Sequence, residues 1–202
     1  MLYYKSVSPK ILGLLKKIRA NNIFNNLRLV GGTALALQIG HRKSVDIDLF
    51  GEINLADDEI KEHLNKIGKV KTLTSSKYIK IYTIDNIKVD IVKYPYPWIY
   101  DPIIEDNPVL AHILDIVSMK LSAITNRGTK KDFIDIYFLL QNYTLKDILR
   151  LYEKKYPDGS VFFVLKSLVY FEDAENEPMP EMFTDISWEE VKNFIVEQTK
   201  NY

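Results

Sequence analysis

The chain has 202 residues, 47% hydrophobic and 27% charged, and its 27 basic and 27 acidic side chains give a formal net charge of zero. That composition suits a soluble globular protein of one compact domain or two small lobes. The charge balance argues against a long-range basic field for gripping nucleic acid, leaving only a local patch, and no DNA partner is expected. Cysteine is absent, which excludes disulfides, thiolate metal sites and cysteine nucleophiles.

In chain order, the N-terminal stretch threads lysines through its apolar positions. It does not read as a signal peptide, no window approaches a membrane span, and cytoplasmic residence is the expectation. Ser8-Pro9 reads as a helix cap and first-turn proline, with Ile11, Leu12, Leu14, Leu15 and Ile18 at helical spacing after it. LRLV (27 to 30) is a predicted strand running into Gly31-Gly32, and 33 to 39 a short helix closed by Gly40. SVDIDLF (44 to 50) alternates as a strand, and 55 to 67 is an amphipathic helix.

VKTLT, KYIKIYTI and IKVDIV add three strand candidates, the last two joined at Asp85-Asn86 by a tight hairpin. YPYPWIYDP (94 to 102) is a connector, since proline interrupts helix and ladder alike. Its aromatics suit packing between lobes, with base stacking as the other reading. Helices are predicted over roughly 107 to 126, 131 to 142, 144 to 154, 159 to 171 and 187 to 199, and 172 to 181 is an acidic loop. The expected boundary places an α/β core at 1 to 106 and a helical lobe at 107 to 202.

Strand alternation puts Val45, Ile47 and Leu49 on one face and Asp46 and Asp48 on the other. The two carboxylates then lie about 7 Å apart along the strand and repel one another unless a cation neutralises them. In IKVDIV, Ile87, Val89 and Ile91 leave Asp90 on the opposite face. If both strands bury their aliphatic faces, the three aspartates share one open side. Three carboxylates can hold two Mg2+ (or Mn2+) ions about 3.5–4 Å apart, the arrangement used for in-line nucleotidyl displacement. Gly31-Gly32, between strand and helix, lets backbone N–H groups approach a phosphate. Thr33 would cap that helix or bond a phosphate oxygen. A lone D-h-D (h apolar) is otherwise the solvated face of an edge strand, and a lone Gly-Gly a tight turn.

GGTALALQIGHRKSVDIDLF, with KLSAITNRGTKKDFIDIYFLL further on, resembles the AbiEii/AbiGii-type nucleotidyltransferases, which include type IV toxin–antitoxin toxins, within the DNA polymerase β-like superfamily. The resemblance covers roughly residues 25 to 142. It implies a polymerase β-like α/β (α+β) fold with a mixed sheet, a helical lobe, and an active site in the cleft between. It implies transfer of a nucleoside monophosphate from an NTP to an acceptor hydroxyl on tRNA or protein. Asp46, Asp48 and Asp90 would be metal ligands, Asp90 also assisting deprotonation of the nucleophile, and Gly31-Gly32 the phosphate loop. Lys120, on the edge of an apolar helical stripe, would contact the nucleotide, and an antitoxin would be the cognate partner. Many family members are longer beyond these motifs, where substrate recognition is placed.

Arg127, one heptad after Lys120, is a further nucleotide-binding candidate. Asp132 or Asp135 would orient one of these cations or belong to a structural ion-pair network. Ser44 is either a turn residue or a hydrogen-bond partner of Asp46 near the nucleotide. His41, His63 and His112 have no ligand spacing relative to one another and read as surface or packing residues. Two other functions fit the pattern: an aminoglycoside-type small-molecule nucleotidyltransferase, with the acidic loop contributing to a pocket for a cationic acceptor, and a non-catalytic nucleotide-sensing or partner-binding module.

Overall fold

A computed structural model describes residues 1 to 105 and 108 to 202. The chain divides into two compact units: unit 1 comprises 1–40, 44–95 and 102–111, and unit 2 comprises 41–43, 96–101 and 112–202. The expected boundary at 106/107 lies outside the described residues. Among the described residues no helix is long and apolar enough to cross a membrane.

Unit 1 holds a mixed sheet. Its strands are β1 (Leu27–Leu29), β2 (Ile47–Gly51), β3 (Val70–Ser75), β4 (Ile79–Ile84), β5 (Ile87–Lys93), β6 (Ile103–Ile104) and β7 (Val109–Leu110), in the order β3-β4-β5-β2-β1-β7-β6. β2 runs parallel to β5 and β1 to β7, while the other pairs are antiparallel. Asp85 and Asn86, at φ 49° and 66°, make the β4–β5 turn with the paired left-handed residues that suit a two-residue hairpin. β6 and β7 went unpredicted because two residues carry no periodicity.

One face of the sheet is apolar, with Ile47, Leu49, Tyr82, Val89 and Ile91 all buried. Helix α1 (Pro9–Arg19), capped by Ser8 and started by Pro9, sets Leu15 and Ile18 against Leu27, Leu29 and Leu49. Tyr82 reaches Asp57 of α3 (Asp57–Asn65) through a 2.6 Å hydrogen bond on that same face. Helix α2 (Gly31–Ile39) opens two residues earlier than predicted and ends at Gly40 in the left-handed conformation. The strand predicted over 44 to 50 is shorter: β2 begins at Ile47, and Val45 is 59% exposed rather than in the core. Ser44 is held instead by its N–H on Ser6 O at 2.9 Å, which turns the chain away from the ladder.

Unit 2 is helical: α4 (Ile113–Asn126), α5 (Lys130–Leu140), α6 (Leu145–Lys155), α7 (Val161–Leu168) and α8 (Trp188–Lys200). The helix predicted from 107 starts at Ile113, because the preceding residues form β7 and His112 caps the helix on Leu114 N. The proline-rich connector has no regular element and docks through its backbone. Asp115 accepts the N–H groups of Ile99 and Tyr100, both at 3.0 Å, and Lys155 donates to Pro97 O at 2.9 Å. Asp115 and Lys155 also pair at 2.6 Å with both side chains fully buried. Asp115→Asn takes the paired carboxylate away from the buried Lys155 ammonium and is expected to cost about 3–5 kcal/mol. Urea unfolding measures this, and Asp115→Asn with Lys155→Met should recover part of the loss.

Candidate active site

The parallel register of β2 and β5 sets Asp48 directly opposite Asp90. Neighbouring strands lie about 4.8 Å apart, and residues so paired point to the same face. Their flanking residues, Ile47 and Leu49 beside Val89 and Ile91, fill the apolar side, so the carboxylates emerge together on the other. Asp46 precedes the strand, half-buried like Asp48 and Asp90.

Gly31 stands against this pair. Its φ of 65° is left-handed, and a Cβ there would lie 3.0 Å from Asp48 Cγ and closer still to Oδ2. Glycine is therefore required twice, for the backbone turn and for the approach of a carboxylate. Val30, the residue before α2, offers no capping side chain, so the first N–H groups of the helix are not capped from there.

Thr33 and Ser44 take a different position from the expected one. Thr33 is 1% exposed, its Oγ lies 2.8 Å from Ser44 Oγ, and its hydroxyl donates to Asp46 O. The two hydroxyls tie the first turn of α2 to the segment entering β2, so what they fix is the backbone at Asp46. Lys88 donates to Asp90 Oδ2 at 2.7 Å, while Asp90 Oδ1 is buried and among the described residues has no hydrogen-bond partner. Alternation gives the signal for it, since Lys88 stands two residues before Asp90 on one strand face.

These groups fit a hard divalent cation in donor chemistry: carboxylate oxygens side by side, one of them buried and unpartnered. Among the described residues no three His, Asp or Glu side chains converge as they would around a bound ion.

Lys120 and Arg127 belong to unit 2. Lys120 is 5% exposed and pairs with both Asp132 (2.8 Å) and Asp135 (2.6 Å). Arg127 is exposed and meets Asp132 through Nε at 3.2 Å, and Thr129 donates to the same Asp132 oxygen at 2.6 Å. Asp135 receives four donors, two per oxygen: His41 Nε2 (2.7 Å), Arg42 Nε (2.7 Å) and Nη2 (2.9 Å), and Lys120. That fills a carboxylate's acceptor capacity. His41 and Arg42 are held there by the backbone, where Phe183 N donates to His41 O at 3.1 Å and Lys43 N to Glu181 O at 2.8 Å. Arg42 is 2% exposed, and nothing local in His41-Arg42-Lys43 signals its burial. His63 hydrogen-bonds Asn21 at 2.9 Å. The acidic loop spends its carboxylates locally, Glu175 on Lys192, Glu177 on Lys130 N and Glu181 on Lys43.

Residues 13–201 match the family described as nucleotidyl transferase AbiEii toxin, type IV TA system. The chain belongs to this family. It is 38% identical over 198 residues to an uncharacterized protein of Aquifex aeolicus (strain VF5), covering 93% of each chain. Its fold is similar to that of the nucleotidyltransferase toxin MenT4 of Mycobacterium tuberculosis, with a TM-score of 0.62 at 13% identity over 94% of this chain and 80% of that one. It is also similar to JHP933 of Helicobacter pylori, with a TM-score of 0.60 at 16% identity over 97% and 93%. The mixed α/β architecture is thus polymerase β-like, and by family the chain is a nucleotidyltransferase.

The buried network sets the pH response. Burial pulls His41 below its ordinary 6.5 despite Asp135, so the folded imidazole refuses a proton that the unfolded one accepts. Burial pushes the carboxyls of Asp132 and Asp135 up, but Lys120, with Arg127 and Arg42 respectively, outweighs it and holds both below 3.8, Asp135 well below. Burial lowers Lys120, and its two aspartates more than restore it, to above 10.5. Stability from the aspartates is therefore present above 3.8 and lost as pH falls through their folded values. Stability from Lys120 is present below 10.5 and lost as pH rises through its folded value. The unfolding midpoint should be highest between 6.5 and 10.5 and begin to fall on acidification below 6.5. Thermal melts across pH check this, and His41→Gln should flatten the first part of the acid limb.

Proposed function

We propose that the chain is a toxin-type enzyme that moves a nucleoside monophosphate from an NTP to an acceptor hydroxyl on tRNA or protein, with Mg2+ or Mn2+ as cofactor. The acceptor oxygen bonds to the α-phosphorus, the α–β phosphoanhydride bond breaks, the hydroxyl proton leaves and pyrophosphate departs. The observation that carries this reading is the Asp48–Asp90 pair in register, with Asp90 Oδ1 buried and unpartnered.

Asp48 and Asp90, with Asp46 before the strand, are the groups that would hold the cation. Bound there, it would neutralise triphosphate charge and acidify the acceptor hydroxyl. Asp90 accepts the proton of that hydroxyl, and Lys88 fixes the orientation of its carboxyl. The N–H groups of Gly31 and Gly32 bind the phosphates at the opening of α2. Thr33 and Ser44 act by holding the Asp46 backbone. Lys120 and Arg127 are proposed as nucleotide contacts on the family resemblance alone. Like charges set opposite one another on neighbouring strands destabilise a sheet, a cost that suits a working site and not a retired one. A cognate antitoxin and action in the cytoplasm follow from the family's type IV toxin–antitoxin character.

Incubation with each α-labelled NTP and Mg2+, against separate RNA, protein and small-metabolite fractions, tests the reading. Label is expected in RNA or protein, reduced by about 10²-fold or more in Asp48→Asn. Equal labelling by a folded Asp48→Asn protein would overturn it. Gly31→Ala, by forcing the turn and Asp48 apart, should lower transfer comparably.

A further inference from the structure

Charge is unevenly spread along unit 1. Between Glu62 and Asp85 the chain carries five lysines and no carboxylate, in a protein whose net charge is zero. Lys66 pairs with Glu62 and Lys80 is buried. Lys69, Lys71 and Lys77 stay exposed, and among the described residues no ion pair ties Lys69 or Lys71. They sit on β3 or beside it, at the edge of the sheet, and this strand is exposed from Lys71 to Ser75 on both faces. An exposed edge strand invites a partner.

The ladder fixes which face these lysines share. Asp90 pairs with Ile81, Lys88 with Thr83, and Thr83 with Lys71. Directly paired residues point the same way, so Lys71 and Lys88 stand on the face that carries Asp48 and Asp90. Asp85 N donates to Lys69 O, two residues before Lys71, and alternation gives Lys69 the same face. Lys69, Lys71, Thr83, Asp85 and Asn86 line one concavity, in which Asp85 Oδ1 is taken up by Lys69 N at 2.9 Å. The row Lys71–Thr83–Lys88 therefore runs one side chain along from the row Ile81–Asp90–Asp48. β3 lies two strands from β5, about 10 Å across the sheet.

In strand order, β4 and β3 extend from Asp90 on the side away from β1 and the Gly31-Gly32 turn. The triphosphate is assigned to that turn, so the lysine-bearing side is left for the acceptor. We propose that this face of the β3–β4 hairpin binds the phosphate backbone of an RNA acceptor, with Lys69, Lys71 and Lys88 as its phosphate contacts and the reactive hydroxyl delivered to Asp90. The proposal rests on the reading of Asp48 and Asp90 as the transfer site. Regular ammonium groups beside threonine and asparagine, with no apolar pocket among them, suit a repeating phosphate better than a protein side chain.

The test measures binding of bulk tRNA and of a single-stranded RNA across salt concentrations, for wild type, Lys69→Gln/Lys71→Gln and Lys69→Arg/Lys71→Arg. Label transfer from α-labelled NTP to RNA and to protein is followed in parallel. Both substitutions are at exposed positions and should leave the unfolding midpoint in place. The Gln variant is expected to flatten the plot of log affinity against log salt by about two contacts' worth, and the Arg variant to keep the wild-type slope. An unchanged slope in the Gln variant, with label still entering RNA, overturns the hairpin assignment and leaves the transfer site standing. Label entering protein and not RNA overturns the RNA surface. Loss of all transfer in wild type overturns both.

Discussion

The candidate site depends on one register. β2 and β5 are sequence-distant strands that meet in parallel, and their pairing sets Asp48 against Asp90. A slip of β2 by one residue would turn Asp48 into the apolar face and bring Leu49 out, so the burial of Ile47, Leu49, Val89 and Ile91 fixes the register as firmly as any hydrogen bond. The repulsion between the carboxylates is held in place by that hydrophobic pairing. Gly31 then completes the constraint, because only a residue without Cβ lets α2 open where the Asp48 carboxylate already stands.

Much of this was legible in the sequence for a simple reason: period-2 alternation is a statement about faces, and the faces of SVDIDLF and IKVDIV needed no tertiary information. The cap at Ser8, the stop at Gly40 and the turn at Asp85-Asn86 were legible for the same reason, each being a local conformational demand. Val45 was misplaced because alternation cannot say where a ladder stops, and the stop is set by a contact with Ser6, thirty-eight residues earlier. Thr33 beside a glycine pair suits a helix cap or a phosphate contact and Ser44 a turn or a bond to Asp46, and nothing local reveals that each hydroxyl is the other's partner.

The network around Asp135 was illegible for a deeper reason. Its members come from three places in the chain, His41-Arg42, Lys120 and Asp132-Asp135, and a bridge between residues 41–43 and 181–183 joins His41-Arg42 to unit 2. Buried charges are expensive to desolvate, and here Arg42 and Lys120 balance Asp132 and Asp135 with Asp135's acceptor positions all taken. Such a cluster adds little net stability over apolar packing of the same volume, yet it tolerates no single deletion.

Net charge alone does not describe how charge is distributed over this chain. In unit 2 several charges of opposite sign are matched nearby, Glu181 with Lys43, Glu175 with Lys192 and the buried cations with their aspartates. Matched charges cancel within a few ångströms and project little field. Among the described residues no ion pair ties Lys69 or Lys71, and Asp85 is the carboxylate that lines their concavity, so a total of zero conceals a local excess of positive charge. Screening confines its reach to about 8 Å at physiological ionic strength, comparable with the two-strand spacing from β3 to Asp90. A polyanion would feel these lysines only once it lay along that sheet face. Attraction of this kind selects where a strand lies and not whether the protein clings to nucleic acid at large, which is the behaviour a neutral enzyme acting at one hydroxyl requires.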